Sequence, residues 1–461
     1  MNSQSKKMEL LGSASIPKAL LAMGIPTMIG MLVNAFYNLV DAYFVGGLGE
    51  SQMGAISVVY PLGQVVVGLG LLFGNGAASY ISRLLGRGDK ENADKVASTA
   101  LYSSVSVGAI IIIISMVFLH PILKLLGATD SILPFAATYA SIYIVSCIFN
   151  VFNVTMNNIV TSEGAAKTTM CALLTGAVLN IALDPLFIYV FDLGVAGAAI
   201  ATAISQVVST CVYLTYIFRK KSVFHFRVKD CTYTKEIMSE IFKIGIPTLV
   251  FQILTSVSIS LINNAAGNYG DSAIAGMGVV TRLISMGSLS VFGFIKGFQP
   301  IAGYSYGAKK FDRLREAIKT SILWSTVFCV IFGVILALFP TAIVSRFTKG
   351  DAEMIRIGAA SLRANGISIM LFGFYTVYSS LFLALGKGRE GFILGACRQG
   401  ICFIPVILLL PIVWGLNGIL YAQPIADVLS AVITVFMAIP LHKKLNEMQK
   451  QTSSISTRDN N

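Results

Sequence analysis

The chain has 461 residues, 55% of them hydrophobic and only 12% charged, with a formal net charge of +12. A soluble protein carries about 25% charged residues, so this composition excludes a soluble globular fold. Apolar runs of about 20 residues without alternation exclude a membrane barrel as well, which leaves an all-α polytopic membrane protein.

Twelve apolar segments follow one another, at 15–44, 53–82, 96–119, 132–159, 167–191, 194–218, 240–266, 273–303, 316–340, 355–384, 391–413 and 416–441. Lys6 and Lys7 precede the first, which is too long for the apolar part of a signal peptide and reads as a retained span. Lys and Arg cluster in alternate connections: Arg83 to Lys95, Arg219 to Lys235, Lys309 to Lys319 and Lys443 to Lys450. The opposite connections carry few, among them Lys124, Arg346 and Lys349. Positive-inside bias therefore predicts a multi-pass protein of a bacterial-type plasma membrane with both termini cytoplasmic. The basic excess is a topology signal, with the lipid bilayer as partner and no nucleic acid. The expected organisation is a cytoplasmic N-terminus at 1–14, a first lobe at 15–218, a cytoplasmic linker at 219–239, a second lobe at 240–441 and a cytoplasmic tail at 442–461.

In the first segment Asn34, Tyr37, Asn38 and Asp41 stand at i, i+3, i+4 and i+7, one polar stripe on an otherwise apolar helix. An Asp within a membrane helix costs about 2.5–3.5 kcal/mol at the centre, so such a group points to function. The fourth segment adds Asn153, Asn157 and Asn158, which with Asn34, Tyr37 and Asn38 are candidates to line a wet substrate cavity. The fifth carries Asn180 and Asp184, i and i+4, and Pro185 after Asp184 predicts a broken backbone beside the carboxylate. The sixth supplies Thr202. Asp41, Asn180, Asp184 and Thr202 offer only oxygen, which suits a hard cation such as Na⁺. Two neighbouring carboxylates also suit a shared proton. Either would be a coupling ion rather than a cofactor, and no cofactor is expected.

An internal repeat organises the rest. GIPT stands at 24–27 and at 245–248, a shift of 221 (245 − 24). The same shift aligns Gly49-Glu50-Ser51 with Gly270-Asp271-Ser272, Phe73 with Phe294, Gly76 with Gly297, Gly86 with Gly307, Gly194 with Gly415 and Gly197 with Gly418. Each half has six spans, an even number, so the halves enter from the same side: two pseudo-symmetric six-helix lobes in a parallel repeat. Asp41 maps to Ile262, Asn180 to Ile401 and Asp184 to Pro405, so the acid pair belongs to the first lobe alone. The second lobe has Arg282, Lys296, Arg363, Arg398 and Asp427 instead. For Lys296 the plainer expectation is a carboxylate or loop carbonyl as partner, the alternative being gating or anion contact. Arg282, Arg363 and Arg398 can snorkel to an interface.

The seven cysteines form no CxxC and have no histidine at ligand spacing; six lie in apolar segments and are expected as small core residues. No catalytic role falls to His120, His225 or His442. No HExxH or GxSxG occurs, so an enzyme is not expected. A symmetric channel pore is disfavoured by an acid pair present in one half only.

The stretches GIPTMIGMLVNAFYNLVDAYFVGGLG (24–49), SYISRLLGRGD (79–89), LNIALDPLFIYVFDLGVAGAAIATAISQ (179–206), KGFQPIAGYSYGAK (296–309) and RQGICFIPVILLLP (398–411) resemble the multidrug and toxic compound extrusion (MATE) family over nearly the whole chain. The resemblance implies twelve helices in two lobes around a V-shaped cavity. It also implies export of small organic cations by a monomeric antiporter, driven by inward Na⁺ or H⁺. Family members with a first-lobe ion site use residues matching Asp41, Asn180, Asp184 and Thr202, and cavity positions match Tyr37 and Asn157. One departure is Thr161 where relatives often carry Arg, which leaves Glu163 without an obvious local partner. The rival reading is a lipid-linked saccharide flippase of the wider superfamily, which would line its cavity with Arg and Lys; only Lys296 and Arg398 speak for it.

Overall fold

A computed structural model describes residues 3–48, 50–347 and 351–458; Gly49 of the repeat and Lys349 lie outside them. A short helix α1 (Ser3–Gly12) leads into α2 (Ile16–Gly46), α3 (Glu50–Arg87), α4 (Lys90–Val117), α5 (Leu119–Leu125), α6 (Leu133–Ser162), α7 (Ala166–Pro185) and α8 (Gly194–Phe218). After the linker come α9 (Lys235–Gly267), α10 (Asp271–Gly307), α11 (Phe311–Leu338), α12 (Pro340–Val344), α13 (Ala352–Ser368), α14 (Phe372–Ala384), α15 (Gly388–Ala396), α16 (Phe403–Trp414) and α17 (Leu416–Arg458). Among the described residues there is no strand, and twelve helices or helix pairs are long and apolar enough to cross a membrane. Several outrun their apolar segments because polar helix-forming turns extend them. Asp89 caps α4 by accepting from the Asn92 amide at 3.1 Å, and Thr234 caps α9 by accepting from the Ile237 amide at 3.4 Å.

Twelve crossings put both chain ends on one face, here the terminal face. At the opposite face each lobe has its own core: Val45, Val59, Ala140 and Ala199 in the first, Ala266, Met277, Ile357 and Phe403 in the second. At the terminal face the cores are shared. Leu20 and Met23 pack with Phe298 and Ala302, and Leu72 and Ile81 with Ile237 and Ile241.

The repeated glycines make that sharing possible. A Cβ at Gly86 would meet the Tyr304 carbonyl, and one at Gly307 would meet the Arg83 carbonyl. Under the shift of 221, Gly86 becomes Gly307 and Arg83 becomes Tyr304, so the two contacts are images of one another. The GIPT threonines also work across the seam. Thr27 Oγ1 donates to the Gly293 carbonyl at 2.6 Å, and Thr248 Oγ1 accepts from Asn75 Nδ2 at 2.8 Å. Arg83 pairs with Glu240 at 2.6 Å, and Gln252 bonds Gln64 at 2.8 Å. Among the described residues, these cross-lobe bonds all lie at mid-membrane or nearer the terminal face. Gly86→Ala and Gly307→Ala should each cost about 1–3 kcal/mol, because a rigid backbone must yield. Thermal unfolding in detergent checks this against Gly278→Ala, which has nothing within 4 Å of its added methyl. Equal melting temperatures for all three would refute the close-approach reading.

The helix α1 lies across the same seam. Lys310 Nζ donates to the Gly12 carbonyl at 2.8 Å. Arg313 donates to the Leu11 carbonyl at 3.2 Å, to the Leu10 carbonyl at 3.3 Å and to the Ala14 carbonyl. Two second-lobe cations thus satisfy the open carbonyls at the end of α1 and complement its dipole.

Candidate functional site

The helices α2 and α7 pack along each other, with α8 behind α7. Asp41 on α2 and Asp184 in the last turn of α7 come within electrostatic reach of one another, and Tyr37 is within reach of both. Asp184 is fully buried and Asn180 nearly so. Asn180 Nδ2 donates to Thr202 Oγ1 at 3.4 Å, which ties α7 to α8. After Pro185 the helix passes into a π turn, Leu186–Val190, so the expected break takes the form of a wider turn. Four predicted residues and Tyr37 therefore meet in one place.

The chemistry left over there is one-sided. Asp41 Oδ1, Asn180 Oδ1 and both Asp184 oxygens are buried without a hydrogen-bond donor. An unsatisfied buried acceptor costs about 1–3 kcal/mol, and a charged one more. Oxygen acceptors gathered in this way fit a hard cation or a proton. Among the described residues no group of three or more His, Cys, Asp or Glu side chains forms a metal cluster. The site thus rests on two carboxylates with neutral oxygens.

The expected cavity residues fare differently. Asn34 and Asn38 are exposed on α2, and Asn38 Nδ2 donates back to the Asn34 carbonyl at 2.7 Å. Asn153 is interhelical glue: its Nδ2 donates to the Gln206 carbonyl and Oε1, each at 2.9 Å, and its Oδ1 accepts from Thr210 at 3.0 Å. Asn157 Nδ2 donates to Tyr213 Oη at 3.2 Å, and its Oδ1 accepts from Lys296. A cavity of 590 Å³ lies elsewhere; of the six candidates Asn158 lines it, and Asn34, Tyr37, Asn38, Asn153 and Asn157 do not. Its walls come mainly from α9, α10, α14 and the α15–α16 pair, with Met31, Tyr60, Asn75 and Asn158 from the first lobe. On α9 the lining residues Thr248, Gln252, Thr255, Ile259 and Ile262 are the repeat images of Thr27, Met31, Asn34, Asn38 and Asp41. The stripe was visible in the first lobe by its charge; its images Thr255, Ser258, Ile259 and Ile262 carry none, and the overlooked signal was the neutral run Thr248-Gln252-Thr255 at i, i+4 and i+7, which ends on the first of them.

Lys296 and Arg398 both line this cavity. Lys296 takes as partner the amide oxygen of Asn157 in the other lobe, not a carboxylate or a loop carbonyl. Arg398 does not snorkel: its Nε donates to buried Asp427 at 2.8 Å, and its guanidinium lies 4.4 Å from the Phe372 ring centroid. Asp427 also accepts from Ser368 at 2.9 Å and Gln423 at 2.9 Å. Arg282 and Arg363 are exposed. Glu163 does have partners. Lys7 of α1 pairs with it at 3.2 Å, and Tyr216 Oη, Ser222 Oγ at 2.9 Å and the Val223 amide at 2.6 Å donate to it. Among the cysteines, Cys147, Cys329, Cys397 and Cys402 are buried as expected, but Cys171 and Cys211 are exposed on their spans, and all seven are free.

Known proteins share this architecture. The MatE family profile matches residues 26–186 and again 247–409, two matches whose starts differ by the repeat shift. The multidrug export protein MepA of Staphylococcus aureus (strain MSSA476) is 32% identical over 429 residues, 93% of this chain and 94% of that protein. MepA of Staphylococcus saprophyticus is 33% identical over 433 residues, 94% and 95% of the two chains. A solved multidrug resistance MATE family transporter of the MOP superfamily, in an outward-facing conformation, superimposes with a TM-score of 0.90 at 27% identity, covering 96% of this chain and 99% of that one. The duplicated six-helix lobes, the whole-length likeness and the doubled profile match together show that this chain belongs to the MatE family of membrane transporters and is not an enzyme.

Proposed function

We propose that the chain is a monomeric secondary antiporter of the plasma membrane that exports small organic cations, driven by inward Na⁺ or H⁺. The observation that carries this reading is the cluster of donorless oxygens around Asp41 and Asp184, which suits a coupling cation and has no counterpart at Ile262, Ile401 and Pro405. The multidrug export proteins among its relatives support the cargo. With both termini cytoplasmic, the cross-lobe bonds described above close the cytoplasmic side, and rocking of the two lobes would break them to open it. Coupling requires the ion to bind the two states unequally, because a ligand of equal affinity shifts nothing. A cation between the two carboxylates, holding α2 against α7, supplies such a difference.

The test is efflux of ethidium from proteoliposomes with and without a Na⁺ gradient at fixed pH, for wild type and Asp41→Asn. Efflux that rises with the gradient and disappears in the variant is the expected result for Na⁺. Efflux blind to Na⁺, collapsed by a protonophore and lost in the variant identifies the ion as a proton. Efflux by Asp41→Asn at the wild-type rate would overturn the reading.

A further inference from the structure

We propose that the second-lobe cavity is a binding site for amphipathic organic anions, with Lys296 as the counter-charge. The argument starts from what its walls lack. Among the described residues no Asp or Glu lines it, while Lys296 and Arg398 do. Arg398 is neutralised by Asp427, so its charge is spoken for. Lys296 is not: its named partner, Asn157 Oδ1, is a neutral acceptor, and an ammonium has three donors. A lysine at membrane depth without an anion is expensive, and a ligand anion would relieve that cost.

A second observation points the same way. Gln299 Nε2 and Ser288 Oγ, both on cavity-lining residues of α10, are buried without a hydrogen-bond partner. Gln299 follows Lys296 by three positions and Ser288 precedes it by eight, so the three share one face of the helix. The groups left over in the first-lobe acid site are acceptors; those on this wall can all donate. The rest of the cavity suits the body of such a ligand. Its 590 Å³ is drug-sized, and Phe251 and Phe292, 6.0 Å apart edge to face, offer an aromatic wall. A π turn at Cys397–Ile401 turns Arg398 and Gln399 into the lining, and Ser258 Oγ fixes it by donating to the Gln399 carbonyl at 2.5 Å.

Binding stands on this geometry alone; export of the anion, in addition to the organic cations proposed above, rests on the antiporter reading. The test uses three dansyl probes of one size: dansylglycine (anion), dansylglycinamide (neutral) and a dansyl trimethylammonium (cation). They are titrated by fluorescence into the purified full-length protein in nanodiscs, with empty nanodiscs subtracted. The anion should bind about tenfold tighter than the neutral probe, roughly 1.4 kcal/mol. Lys296→Met should erase that preference while leaving dansylglycinamide unchanged, and Lys296→Arg should keep it. Should Lys296→Met not fold, Gln299→Leu is read instead, with a partial loss confined to the anion. Equal binding of anion and neutral probe, tighter binding of the cation, or a preference untouched by these variants would overturn the site. In proteoliposomes, ethidium efflux that persists without gradient-driven movement of dansylglycine would overturn the cargo role and leave the coupling reading standing.

Discussion

Asp184→Asn is expected to abolish gradient-driven efflux, by about a hundredfold or more, in a protein that still folds and inserts. Asn has the shape of Asp and one charge less. Swinging a two-state equilibrium from one side to the other needs a ligand preference of about 10⁴-fold, and a cation gains that preference from the carboxylates it meets. Asp184 offers two donorless oxygens in a fully buried position, so its neutralisation removes the largest part of the attraction. Stability should not fall, because an uncompensated buried carboxylate is replaced by a neutral amide. The check is paired: ethidium efflux from proteoliposomes, and the thermal midpoint of the same preparation. A variant that exports at the wild-type rate removes Asp184 from the site. One that fails to fold would show instead that the carboxylate is structural.

Glu163→Ala should cost about 3–5 kcal/mol of stability, the penalty for stranding one half of a buried ion pair. Lys7, largely buried, would lose its counter-charge, and the donors Tyr216 Oη, Ser222 Oγ and the Val223 amide would lose their acceptor. Glu163→Gln keeps an acceptor for some of them and should cost less. Lys7→Ala added to Glu163→Ala should cost little more, because the pair is already broken, and that non-additivity is the measurable signature. Unfolding midpoints of the two single variants and the double variant complete the cycle. Additive losses would mean that the pair does not act as a unit.

What could be read from the chain, and what could not, follows from distance. The twelve spans are local, each a run of apolar residues, and all were legible. The shift of 221 was legible too, because a repeat compares the chain with itself. That Gly86 and Gly307 sit against each other's neighbouring turn was not, since no local pattern reports which backbone a glycine touches. Glu163 had no partner in its own neighbourhood because Lys7 stands 156 residues away. Asn153 was misplaced for a different reason: a lone Asn in a membrane helix has the same signature whether it meets water or a neighbouring helix, and here it meets α8. Of the cavity only Asn158 was legible, because polar side chains in the first half are its expected markers and its α9 wall carries Thr and Gln from the second.

The placement of α1 also sets an order of events during synthesis. Lys7 leaves the ribosome before the twelve spans described above, yet Tyr216 and Lys221, which it also bonds, follow more than 200 residues later, and Arg313 later still. The first-lobe docking of α1 must therefore wait for a complete first lobe, and its final seating for the start of α11. Contacts of such long range close late in folding. A nascent chain that stalls after residue 218 would hold an N-terminal helix whose C-terminal end has nowhere to dock, so protection of that end of α1 from protease reports that the two lobes have joined.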